Sequence, residues 1–261
     1  MNLESAVKYH FAKSTSISDS PRATSPDTLT GTDVMGAIGY CQSKESFGFS
    51  AFSGKMEISQ NDKKRAIKLL TQYALKHCDR VAALRKLDKN VKLKVTQLLA
   101  KYAYADYCRS AASVVECVCC RGKGMIDSVK EVIKHRGVLD SAGNVILAKK
   151  KVEPVSELCI KCNGKGVISC ACNDCKGRGD VIDRELMEST GDVVRKPCKR
   201  CSGRGYERLP ASKAFSVIAK YAPDITIATW KKNIKPFYDS LIVECDSGEC
   251  RADHALKLVT Q

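Results

Sequence analysis

The chain has 261 residues, 44 Lys plus Arg against 29 Asp plus Glu, and a formal charge of +15. That length suits one or two globular domains with a packed core, and that charge favours anionic partners through long-range attraction and counterion release. No charged-then-apolar leader opens the chain, and no apolar run approaches the roughly 18–20 residues needed to cross a bilayer as a helix, so a cytoplasmic protein is expected.

Residues 1–60 hold 5 basic and 6 acidic side chains and are rich in Ser, Thr, Gly and Asp, a composition that reads as a loop-rich N-terminal arm. Phe47-Gly-Phe-Ser-Ala-Phe52 is either a small docking patch or an arm that folds back onto the helices; folding back is the preferred reading. Ser59-Gln-Asn-Asp62 reads as a capping box ahead of a helix carrying Ile67, Leu70, Ala74, Val81 and Leu84. After Asp88-Lys-Asn90, the positions Val91, Val95, Leu98, Leu99, Tyr102 and Ala105 predict a second helix, and the two form a helical hairpin over 61–113. Residues 61–116 carry 13 basic against 5 acidic groups, more than solubility requires, so part of this surface is expected to meet nucleic acid.

Fifteen cysteines in a reducing compartment point to metal ligation rather than disulfides. Within 114–206 the pattern Cys-x-x-Cys-x-Gly-x-Gly occurs four times, at Cys117/Cys120, Cys159/Cys162, Cys172/Cys175 and Cys198/Cys201. Two residues between ligands let both thiolates of a tight turn reach one ion, and zinc takes four ligands tetrahedrally, so four knuckles imply two zinc ions. The glycines supply the positive-φ positions that a chain doubling back beside a metal requires. An all-cysteine site leaves no open position, so its zinc is structural rather than catalytic. The scattered histidines His10, His77, His135 and His254 are not needed as ligands. Arg121, Lys123, Lys161, Lys165, Lys176, Arg178, Lys199, Arg200 and Arg204 sit in or beside the knuckles, where they balance thiolate charge or contact phosphate; balance is the plainer reading.

Spacing alone leaves open which knuckles pair, although a nested hairpin would join the first with the fourth and the second with the third. The repeat closely resembles the cysteine-rich domains of Hsp40-type cochaperones, which pair their knuckles in that nested order. The resemblance implies one zinc on Cys117, Cys120, Cys198 and Cys201 and another on Cys159, Cys162, Cys172 and Cys175, with Cys119 and Cys170 left over.

In residues 207–261 a helical pattern runs from Pro210-Ala-Ser212 through Phe215, Ile218 and Ala219 and is broken at Ala222-Pro-Asp224. Thr226 can cap a further helix holding Trp230, Ile234, Phe237 and Leu241. The pair suggests a helix-turn-helix whose second helix offers Thr229, Lys231, Lys232, Asn233 and Lys235 to the major groove. Pro236 should kink or restart that helix. The fold class expected is therefore mainly α: a helix-turn-helix-like DNA-binding domain with an inserted two-zinc, cysteine-rich, β-hairpin-like domain.

Several stretches resemble the lambda-type Q antiterminators of bacteriophages: Asp19-Ser-Pro-Arg-Ala-Thr24, Gly31-Thr-Asp-Val-Met35, Ser59-Gln-Asn-Asp-Lys63, Tyr104-Ala-Asp-Tyr-Cys-Arg-Ser-Ala-Ala112, the first and last knuckles, Pro210-Ala-Ser212, and Lys235-Pro236 with Tyr238-Asp239. Residues 125–197 depart from the family pattern, which has only the outer pair of knuckles, so the inner four cysteines are read as an addition. The resemblance implies a late-gene transcription antiterminator that binds duplex DNA at a phage late promoter. It also implies that the protein joins RNA polymerase through the flap and the sigma factor, works with NusA, and makes polymerase ignore pauses and terminators. The alternatives are an Hsp40-like zinc cochaperone, against which stands the absence of a His-Pro-Asp tripeptide, and an RNA-binding zinc protein. No catalytic constellation is present, and Gly48 to Lys55-Met56 is one residue too long for a phosphate loop and lacks its Ser or Thr; an enzyme is not expected.

Overall fold

The computed structural model describes residues 1–10, 29–135, 138–139, 145–146 and 149–260. They form two compact units, one of Met1–Cys108 with Leu209–Gln261 and one of Arg109–Arg208. No helix among the described residues is long and apolar enough to cross a membrane. The stretch Asp19–Thr24 lies outside the described residues.

The first unit is helical from its start. Helix α1 (Leu3–His10) buries Leu3, Ala6 and Val7 at helical spacing. Helix α2 (Gly31–Lys44) opens on a full capping box: Thr30 Oγ1 accepts from the Asp33 N–H, and the Asp33 carboxylate accepts from the Thr30 N–H at 2.9 Å. Helix α3 (Ser46–Lys55) follows, with every residue from Gly48 to Gly54 buried. The loop-rich arm expected here is therefore corrected to helices in its described parts. Composition misled because Gly and Ser lower helix propensity, which tertiary burial overrides. Small residues in α3 serve close packing, since a Cβ on Gly48 would lie 1.9 Å from the carbonyl oxygen of Gly248. Phe49 and Phe52 are buried and Phe47 packs on the core, so this segment folds inward as the preferred reading had it.

Helix α4 (Gln60–His77) is capped by Ser59, whose side chain accepts from the Asp62 N–H at 3.2 Å. The Asp62 carboxylate accepts from Ser53 Oγ at 2.9 Å, so the cap also ties α4 to α3. A 3₁₀ turn (Cys78–Arg80) and the single turn α5 (Ala82–Arg85) lead to α6 (Lys89–Tyr107), capped by Asp88. Helices α4 and α6 pack together through Leu70, Ala74, Val95 and Leu99, all fully buried. A buried leucine of this kind contributes roughly 1.5–3 kcal/mol.

The second unit consists of short antiparallel ribbons around cysteine turns. Strands β1 (Val114–Glu116), β2 (Met125–His135), β3 (Val138–Leu139), β4 (Val145–Ile146), β5 (Lys149–Leu158), β6 (Val167–Ser169), β7 (Asp180–Ile182) and β8 (Arg195–Pro197) pair as β1–β6, β2–β5, β3–β4 and β7–β8, with α7 (Arg184–Thr190) between β7 and β8. The long β2–β5 ribbon starts at the register Met125↔Leu158.

The chain then returns to the first unit, where the Leu209 N–H donates to the Asp106 carboxylate. Helix α8 (Ala211–Tyr221) ends before a turn anchored by buried Ala222 and Ile225. Thr226 caps α9 (Ile227–Thr229) by accepting from the Thr229 N–H at 3.2 Å, as expected. A π-helical turn (Trp230–Ile234) connects α9 to α10 (Lys235–Val259). Pro236 accounts for this turn: it has no N–H to donate and its ring crowds the preceding turn, so the backbone widens there and the helix restarts. Trp230, Ile234, Tyr238 and Leu241 face inward, with Trp230 between Phe215 and Tyr238 at ring separations of 5.6 and 6.2 Å.

Candidate metal centres

Eight of the fifteen cysteines gather into two buried groups of four: Cys117, Cys120, Cys159 and Cys162, and Cys172, Cys175, Cys198 and Cys201. The pairing is sequential, first knuckle with second and third with fourth, which overturns the nested scheme. Backbone pairing decides it. Strand β2 leaves the first knuckle and β5 enters the second, and their register sets Gly124 beside Cys159, whose N–H donates to the Gly124 carbonyl at 2.9 Å. Strands β1 and β6 close the other side, where the Cys117 N–H donates to the Gly166 carbonyl at 2.8 Å. The same reciprocal bonds recur in the second group, from Cys172 to Gly205 and from Cys198 to Gly179, each at 2.8 Å. The short link from Cys162 to Cys172 holds β6, already paired with β1, and so cannot form the hairpin that nesting requires.

All eight knuckle glycines have positive φ, as the repeat predicts. The last glycine of each knuckle has no room for a side chain either, because a Cβ on Gly124, Gly166, Gly179 or Gly205 would fall 2.2–2.4 Å from the carbonyl oxygen of Gly164, Gly122, Gly203 or Gly177. A second periodic feature escaped the sequence reading. Arg121, Asn163, Lys176 and Ser202, each directly after the second cysteine of a knuckle, also have positive φ, from 49° to 52°. The doubled turn aims an N–H at each of those cysteines: Gly124, Gly166, Gly179 and Gly205 donate to Cys120, Cys162, Cys175 and Cys201 at 3.2–3.3 Å. The recurrence of one position after every Cys-x-x-Cys was visible, but no residue type marked it.

The spacing of the sulfur atoms fits a tetrahedral ion. Cys117–Cys159, Cys120–Cys162, Cys172–Cys198 and Cys175–Cys201 stand 3.8, 3.6, 3.9 and 3.7 Å apart. A tetrahedron with metal–sulfur bonds of about 2.3 Å has edges of about 3.8 Å, whereas a disulfide requires about 2.05 Å. The backbone N–H of Cys162, and that of Lys161 against the effect of burial, hold the Cys159 thiol down to about 6. Burial raises Cys175, but the N–H groups of Gly179 and Gly177 outweigh it and bring that thiol to about 7. Burial pushes Cys120 and Cys201 up to about 11. Four crowded sulfurs thus resist full ionisation by themselves, and a divalent cation would supply the missing positive charge. Both groups can hold a metal ion. Cys119 is exposed and Cys170 buried, outside both groups of four.

The five residues assigned to the DNA-facing helix lie around the π-turn. Lys231, Lys232 and Lys235 are exposed, and Thr229 and Asn233 are half-buried. Lys231 and Lys235 border a hollow of about 450 Å³ with Phe215, Ile227 and Trp230, whereas Thr229 and Asn233 border another of about 390 Å³ with Lys86 and Asp224. Lys232 is absent from both linings, so the five do not share one pocket but flank the exposed side of the helix.

Compared with known proteins, the family model described as "Antitermination protein Q" matches residues 23–111 and 166–253. The antitermination protein Q of Escherichia phage lambda and that of Salmonella phage P22 are each 39% identical over 261 residues, and that of Escherichia phage HK022 is 38% identical; all three align over the whole of both chains. The segment 112–165 between the two matches carries the first four-cysteine group, and the second match carries the other. The expectation that the outer knuckles rebuild the family's site and the inner ones are added is therefore also corrected. Because the matched segments take in more than half of the sequence and the relatives align from end to end, the chain belongs to the antitermination protein Q family.

Proposed function

We propose that this protein is a phage late-gene transcription antiterminator that binds duplex DNA at a late promoter and then acts on RNA polymerase in the host cell. The observation that carries the reading is the end-to-end relation to proteins named antitermination protein Q. In this reading each four-cysteine group holds a structural zinc ion, in keeping with sulfur spacings of 3.6–3.9 Å and with burial of all eight ligands. Helices α8 and α9 with the π-turn act as a helix-turn-helix: α8 and the turn residues Ala222 and Ile225 fix the entry of the second helix, and Trp230 and Ile234 hold it from behind. Lys231, Lys232 and Lys235 contact phosphate or guanine, and Asn233 and Thr229 meet base edges from the other flank. The partners assigned to the bound protein are the polymerase flap, the sigma factor and NusA, and no catalytic role is assigned. Run-through transcription with purified polymerase on a late-promoter template tests the function. Terminator read-through that depends on added protein is the expected result, and unchanged termination with intact, DNA-bound protein would sink it.

A further inference from the structure

We propose that the tip of the first four-cysteine module is a docking site for an acidic, apolar segment of a protein partner. In the two facing knuckles the residues directly after Cys117 and Cys159 are Val118 and Ile160, exposed by 82% and 89%. Both are aliphatic, and both sit on turns fixed by two ligands and an N–H···S bond, so neither can retreat into a core. Burying either against a partner removes apolar surface from water and is favourable. A second exposed apolar pair, Met125 and Leu158, faces across the start of the β2–β5 ribbon, directly after the first knuckle and directly before the second.

The surrounding charge selects the partner. Arg121, Lys123, Lys161 and Lys165 belong to the same two turns, are exposed, and form no ion pair among the described residues. Glu116 is the acid that approaches the site, beside Gly122. A metal ion held by the four thiolates would leave a net charge of −2, which would offset only part of these cations. The second module provides an internal comparison with the same backbone. Its tip carries Asn173, Asp174, Lys199 and Arg200, with Arg200 tied to Asp174 at 3.3 Å and to Glu207 at 2.9 Å. Exposed cations recur at the matching turn positions of the second module, Lys176, Arg178, Lys199 and Arg204, so the feature particular to the first module, the one outside the segments matched by the family model, is the exposed apolar pair set among such cations.

Nucleic acid fits this tip less well. No Phe, Tyr or Trp occurs between Tyr107 and Tyr206, so the module has no stacking platform for single-stranded bases. Contacts to a duplex backbone would use the cations and leave Val118 and Ile160 in water. An acidic segment with large apolar side chains satisfies both features together.

The test uses the full chain in its metal-loaded form and the fluorescence anisotropy of a labelled synthetic peptide alternating Glu with Leu and Phe. Comparison peptides carry Lys for Glu or Ser for the apolar residues. Expected is binding of the acidic apolar peptide alone, weakened at least about tenfold by Val118→Ser with Ile160→Ser and by Arg121→Glu with Lys161→Glu, but unchanged by Lys199→Glu. Native mass spectrometry reports whether each variant keeps both ions; should the aliphatic pair lose one, the charge-reversal pair decides. Absence of binding by the unmodified chain, equal binding of the lysine peptide, or full binding by the charge-reversal variant overturns the proposal. So does stronger competition by poly-U RNA or by phosphatidylglycerol vesicles than by unlabelled peptide.

Discussion

Replacing Cys117 and Cys159 together with serine should release one metal ion, whereas replacing Cys117 and Cys198 should release both. The first pair, with sulfurs 3.8 Å apart, belongs to one tetrahedron, and the second pair spans two. The apparent free energy of a structural zinc site is about 10–16 kcal/mol at neutral pH, as large as the whole stability of a typical domain, about 5–15 kcal/mol. Neither the β1–β6 pairing of three residues a side nor the β2–β5 ribbon, none of whose described side chains is buried, can replace it, so loss of any one ligand should open its module. Two consequences are measurable by native mass spectrometry with elemental analysis. Cys117→Ser alone should lose one ion, and adding Cys159→Ser should cost no second ion, because both substitutions remove the same interaction. The nested arrangement predicts the opposite stoichiometry: two ions lost on replacing Cys117 and Cys159, one on replacing Cys117 and Cys198. That result would refute the backbone-pairing argument.

Gly166→Ala should abolish metal retention by the first module, since its Cβ would meet the Gly122 carbonyl oxygen at 2.2 Å. Gly122→Ala should keep the metal and lose only the roughly 1–2 kcal/mol of a left-handed conformation, because its Cβ meets the movable Glu116 side chain; metal-competition titration with a chelator distinguishes the two. Lys232→Ala should weaken promoter binding uniformly across sequences and flatten the log K against log salt slope by about 0.9, while Asn233→Ala should relax sequence preference; loss of helicity in either would place that residue in the core instead. Trp230→Ala should destabilise the first unit by about 3–5 kcal/mol in urea unfolding, given its burial between Phe215 and Tyr238. Burial alone would raise Asp253, but Lys257 and the Leu3 N–H, which donates to Asp253 Oδ1 at 2.8 Å, hold its carboxyl below the usual range. Its contribution is therefore complete above the ordinary carboxylate value and is lost as pH falls through the lowered one. Protection of the α1 amides, measured as exchange relative to the intrinsic rate at each pH, should fall with acidification over that window in the native chain and fall less in Asp253→Asn.

Local chemistry determined much of this protein before any fold was known. The four Cys-x-x-Cys-x-Gly-x-Gly turns announce their own geometry, because ligand spacing and glycine φ are properties of eight consecutive residues. Ser59, Asp88 and Thr226 mark helix starts by the same local logic, and Pro236 marks the interruption realised as the π-turn. What lay beyond the sequence was which turns meet. The knuckles are chemically equivalent, so the choice between nested and sequential partners fell to the register of β2 on β5 and of β7 on β8, which joins Met125 to Leu158 and Asp180 to Pro197 across long separations. The N-terminal helices were hidden for a related reason. Gly48 and Ser50 are poor helix formers in isolation, and they are helical because the glycine lets α3 approach the backbone of α10 at Gly248. Where one turn of chain fixes the geometry, the sequence is sufficient; where equivalent turns compete, or a weak helix is held by its neighbour, long-range packing decides.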